Sequence, residues 1–67
     1  MIASLSGTLK SISKSEIVLE VNSVGYLLNV SSKVISSLGD IGSKLSLFTD
    51  LHVRDDKIVM YGFFNQI

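Results

Sequence analysis

A chain of 67 residues makes one small domain, because at this length folding buries only about 60% of the unfolded surface and leaves no room for a second core. With 46% hydrophobic and 18% charged residues, and six Lys plus Arg against six Asp plus Glu, it is neither a disordered polar tail nor a basic nucleic-acid-binding arm. It has no cysteine, which removes both a disulfide framework and a thiolate metal site, so the core must come from aliphatic side chains or from a partner.

No run approaches the roughly 20 apolar residues of a membrane span, and the N-terminus lacks a charged head followed by an apolar stretch. The expectation is a cytoplasmic protein with no membrane contact. Proline is absent and the five glycines are dispersed, so no linker, repeat or low-complexity block stands out. The excess of serine reads as solvated strand faces and turns.

In chain order, Ile2 to Lys10 carries apolar residues at Ile2, Leu5 and Leu9 around Gly7, the pattern of a first strand kinked at glycine. After a polar turn from Ser11 to Ser15, Ile17, Leu19 and Val21 alternate with Val18, Glu20 and Asn22, which predicts a second strand with one apolar face. Asn22-Ser23 reads as a turn. Gly25 then opens a third strand in which Tyr26, Leu28 and Val30 share a face, so strands two and three pair as an antiparallel hairpin.

Ser31 and Ser32 offer capping hydroxyls, Val34, Ile35 and Leu38 fall at helical spacing, and Gly39 offers a left-handed stop, predicting a helix of about two turns. Asp40-Ile41-Gly42 is a loop. Leu45, Leu47, Thr49, Leu51 and Val53 line one face of a fourth strand whose other face carries Ser46, Phe48, Asp50 and His52. The charges Arg54-Asp55-Asp56-Lys57 mark a hairpin tip, and Ile58 to Phe64 resume as a fifth strand. Inward-facing positions are expected at Leu19, Val21, Leu28, Val30, Leu47 and Tyr61.

Three strands, a short helix and two more strands match an all-β fold, the five-stranded Greek-key barrel called the OB-fold, which carries its helix between strands three and four. An SH3-like barrel is the rival.

Asp55-Asp56 most needs a reason, because adjacent carboxylates repel and Asn-Gly would serve the turn as well. An ordinary solvated turn flanked by Arg54 and Lys57 is the plain explanation, and an acidic prong acting by charge is the functional one. Asp50 and His52 share a strand face, and with Asp55 they could hold a divalent metal for nuclease chemistry. A mixed polar strand face explains them more simply, and one His without Cys cannot close a zinc site. No nucleophile elbow or phosphate-binding glycine loop appears, so neither catalysis nor a cofactor is expected. Tyr26, Phe48, Tyr61, Phe63 and Phe64 are the aromatic candidates for a generic OB-fold single-stranded nucleic-acid module, but periodicity puts most of them on core faces.

Taken together, Met1-Ile2 with Leu5 and Gly7, Val24-Gly25-Tyr26, Phe48-Thr49, Val53-Arg54-Asp55-Asp56 and Tyr61-Gly62-Phe63 resemble the N-terminal domain of the RuvA family of Holliday junction branch-migration proteins, over essentially the whole chain. The resemblance implies a barrel at residues 1–64, with 65–67 beginning a linker to a helical domain of paired helix-hairpin-helix motifs, which is not in the chain. It implies a non-catalytic, DNA-binding subunit, a homotetramer alone or paired as an octamer, that holds a four-way DNA junction for recombination and repair. It also implies the RuvB ATPase as a partner, docked through a C-terminal domain outside this chain. The family's acidic pin falls on Asp55 and Asp56, and Arg54 beside it is the candidate phosphate contact. Three positions depart from the family pattern: Asp55 where Glu is common, Ser6 where many members carry a cation, and Asp50 where His is frequent.

Overall fold

The apolar alternation becomes five strands and one short helix in the computed structural model, which describes residues 2–65. Strand β1 spans Ile2–Ile12, β2 Glu16–Val21 and β3 Val24–Asn29; helix α1 spans Ser32–Ser36; β4 spans Lys44–Arg54 and β5 Lys57–Phe63. Met1 and, of the expected linker start at 65–67, residues 66 and 67 lie outside the described residues. The strands close a barrel in the order β1-β2-β3-β5-β4. That order, with the helix between β3 and β4, is the OB-fold expected from the sequence.

Closure depends on β1 serving two neighbours. Residues Ile2 to Thr8 pair antiparallel with β4, and Thr8 to Ile12 pair with β2 across a bulge between Leu9 and Ser11. Gly7 sits where the strand passes from one partner to the other, and a methyl group there would collide with the Glu20 backbone carbonyl. The glycine thus permits the close crossing, while the register break itself falls three residues later, at Lys10. Strands β3 and β5 are parallel and meet in register only at Asn29 and Tyr61.

The core is aliphatic: Leu9, Ile17, Leu19, Leu28, Val30, Val34 and Leu47 are buried, with Leu5, Val21, Ile35, Leu38, Leu45 and Met60 packed against them. Of the expected inward positions, Leu19, Leu28, Val30 and Leu47 are buried and Val21 is half-buried, but Tyr61 is not inward; it is 36% exposed. Antiparallel pairing explains the correction. Gly62 stands opposite buried Thr49 and takes the inward position, where Leu28, Val30 and Leu47 crowd the space a Cβ would need. Its neighbours Tyr61 and Phe63 must then point outward, because successive side chains alternate.

Helix α1 is shorter than expected, at five residues. The Ser31 hydroxyl accepts from the Val34 amide as its N-cap, and the Ser36 and Ser37 hydroxyls donate to the Ser32 and Lys33 carbonyls. Serines drawn to local backbone bonding favour early termination. Ser37, rather than Gly39, is the C-cap; the left-handed glycine is Gly42, φ 97°, in a turn closed by the Ser43 amide donating to the Asp40 carbonyl. The helix contributes Val34 to the core. Among the described residues no helix is long and apolar enough to cross a membrane.

Candidate nucleic-acid interface

The β4–β5 hairpin runs past the barrel. Thr49 opposite Gly62 is the last pair with a buried residue on both strands; beyond it come the register pairs Asp50 with Tyr61, Leu51 with Met60, His52 with Val59, Val53 with Ile58 and Arg54 with Lys57. Every residue from Leu51 to Ile58 is exposed. Alternation gives the projection two different faces. Leu51, Val53 and Ile58 continue the apolar stripe of the barrel interior and stand 41%, 73% and 69% exposed. The opposite face carries Asp50, His52, Arg54, Lys57, Val59 and Tyr61.

Asp55 and Asp56 form the two-residue tip, with φ of 48° and 63°. Positive φ at both central positions is the type I′ hairpin pattern, which matches the right-handed twist of the strands and which Asp and Asn tolerate better than other side chains. The β2–β3 hairpin turns the same way at Asn22 and Ser23, φ 51° and 69°. The four tip charges are exposed, and no side-chain hydrogen bond or ion pair with another described residue engages Arg54, Asp55, Asp56 or Lys57. The flanking cations therefore do not pair with the carboxylates by direct contact.

Asp50 and His52, predicted to share a face, do so: His52 Nε2 lies 3.1 Å from Asp50 Oδ2. Partial desolvation raises the Asp50 carboxyl, but the hydrogen bond and charge of its partners, His52 among them, outweigh it and hold the group below its ordinary value of 3.8. The His52 ring also meets Tyr61 edge to face, centroids 5.1 Å apart and planes at 84°. Asp55 does not join this pair. Among the described residues no three His, Cys, Asp or Glu gather to hold a metal ion, so the three-residue metal site considered from the sequence is not assembled. Ser6 shares a 2.7 Å hydroxyl contact with Ser46.

The aromatic residues are placed differently from the periodicity reading. None belongs to the buried core; Tyr26, Phe48 and Phe63 are half-buried, and Tyr61 and Phe64 are 36% and 40% exposed. Phe48 and Phe63 face each other in register, one step from Asp50 and Tyr61, so an aromatic row runs along the outer face of the hairpin toward its charged tip. The unbroken apolar run Ile58 to Phe64 hid this row, since a stretch without polar alternation does not reveal its inward side.

Residues 1–62 match the family described as the RuvA N terminal domain. The chain belongs to the RuvA N-terminal domain family. Relatives named Holliday junction branch migration complex subunit RuvA include those of Chloroherpeton thalassium, 48% identical over 94% of this chain and 32% of that protein, and Bartonella bacilliformis, 43% identical over 94% of the chain and 29% of that protein. The RuvA of Brucella anthropi is 37% identical over the whole chain and 33% of its own length. The chain spans about a third of the length of the curated relatives it matches. Within the RuvA N-terminal domain family, then, this chain is a barrel with a projecting hairpin whose tip carries two adjacent carboxylates.

Proposed function

We propose that this domain is the junction-centre part of a RuvA subunit, a non-catalytic DNA-binding component of a cytoplasmic complex that moves four-way junctions in recombination and repair. Four barrels gather at the middle of a homotetramer, single or paired as an octamer. Residues 65–67 lead into a helical DNA-gripping domain, and a further C-terminal domain docks the RuvB ATPase; relatives three times as long as this chain leave room for both. Asp55 and Asp56 project toward the crossover as an acidic pin, and Arg54 touches a phosphate beside it.

The observation that carries this reading is the uncommitted Asp55-Asp56 tip at the end of an exposed hairpin in a chain of this family. Its physics suits a guide. A carboxylate and a phosphate about 10 Å apart repel by about 0.4 kcal/mol in water, so the eight charges of four pins would supply about 3 kcal/mol before screening. Physiological salt reduces that to about 1 kcal/mol. Such a force is too small to break a duplex, yet it keeps backbones off the centre and biases strands as they separate and re-pair.

The test is made in a longer RuvA protein carrying this domain, with Asp55→Asn and Asp56→Asn together. Turn propensity and volume are kept while the repulsion is removed, so junction affinity should hold or rise and discrimination against linear duplex should fall. Raising salt should shrink the difference between wild type and the variant. If the variant binds duplex no better than wild type at low salt, the charge account of the pin is wrong.

A further inference from the structure

The hairpin's outer face holds a concavity lined by His52, Arg54, Val59 and Tyr61. Its walls have the chemistry of a base site. Tyr61 and His52 stand perpendicular, making a corner in which a flat heterocycle can lie against one ring and meet the edge of the other. Val59 is the half-buried apolar floor between them, in register with His52. Arg54 supplies a planar guanidinium that stacks on bases as well as pairing with phosphate. Its register partner Lys57 adds a second cation on the same face, and neither cation is tied to another described side chain. The nearest acid on this face, Asp50, already accepts from His52. Aromatic rings beside cations are the pairing that single strands use, bases on the rings and backbone on the charges.

We propose that this corner receives one unpaired base of a DNA strand, stacked on Tyr61 and covered by Arg54, with the adjoining phosphates on Arg54 and Lys57. The proposal deepens the junction-centre reading and rests on it for the source of unpaired bases, namely strands parting beside the Asp55-Asp56 tip. The two sides of the pin then act oppositely: the acidic tip repels backbone, while the aromatic face holds the base that repulsion has exposed. Because stacking accepts every base, this grip would be independent of sequence.

The experiment titrates the isotope-labelled chain with a short oligothymidylate and, in parallel, with an abasic strand of equal length, read by NMR. The expected result is ring-current shifts centred on His52, Arg54, Val59 and Tyr61, with the abasic strand binding at least about five-fold more weakly, the lower end of what one stacked base contributes. Tyr61→Leu and Arg54→Gln should each cause a comparable loss; since Arg54 is exposed and lies outside the core, its variant decides the matter even if Tyr61→Leu disturbs the strand. Shifts centred on β1, β2 and β3, no shifts at all, or equal binding of the abasic strand would overturn the proposal. Junction-over-duplex preference of a longer RuvA protein is scored separately. If that preference stands while the titration fails, only the base corner is wrong; if the preference is missing while the corner binds, the junction-centre reading is wrong.

Discussion

Leu28 is fully buried near the C-terminal end of β3 and packs in a core built only of aliphatic residues. Truncation to Ala removes the methyl groups without giving so small a barrel a way to collapse around the gap, so Leu28→Ala should cost about 2 to 5 kcal/mol. Against the marginal stability of a short domain that loss unfolds much of the population; chemical denaturation reads it, and an unchanged midpoint would contradict the packing. Residue facing was legible wherever polar and apolar residues alternate. Ile17, Leu19 and Leu28 announce their burial in this way. Tyr61 does not, because Ile58 to Phe64 is apolar throughout, and the deciding fact is the pairing of Gly62 with Thr49 across the hairpin, a register that one strand read alone cannot reveal. Gly39 and Gly42 pose the same difficulty: both suit a left-handed position, and only the turn closed from Ser43 to Asp40 selects the second.

At the scale of the element, both two-residue hairpins demand positive φ at two consecutive positions. Asn-Gly fulfils that demand best. Asp55→Asn combined with Asp56→Gly should therefore raise thermal stability by about 1 kcal/mol, since glycine takes the left-handed region without a Cβ penalty, while junction discrimination falls in a longer RuvA protein. Opposite movement of stability and specificity would mean that the acidic pair is kept at some cost to folding; a loss of stability would make the pair a turn choice and nothing more. The hairpin itself was readable from four consecutive charges between apolar runs. Its role was not, because charge, exposure and turn geometry are shared by any solvated tip, and the pin assignment came from the joined motifs around it. The succession of elements along the chain was equally legible, whereas the brevity of α1 depends on serine hydroxyls that serve a cap or a helix interior alike.

For the whole molecule, zero formal charge means few counterions are released on binding, so the steep electrostatic attraction that supplies most non-specific DNA affinity is missing. The 67-residue chain alone should bind a four-way junction only weakly near physiological salt. Fluorescence anisotropy checks this, and a low-micromolar dissociation constant would show that the barrel grips DNA by itself. This weak grip is compatible with the base corner, whose contact is local and short.

The single register contact between Asn29 and Tyr61 has a kinetic consequence. Each hairpin can zip from its own turn, and β1 joins β4 along the whole register from Ile2 with Asp50 to Thr8 with Lys44, whereas joining β3 to β5 closes a loop between positions 29 and 61 for one register pair; so small a return on that closure makes it the last event of folding and the first of unfolding. Native-state hydrogen exchange should accordingly find the amides along this seam opening at a lower free energy than those paired between β1 and β4. The barrel would then breathe on one side only, the side from which the hairpin projects, leaving the aliphatic centre closed while the cleft beside Tyr61 widens and narrows.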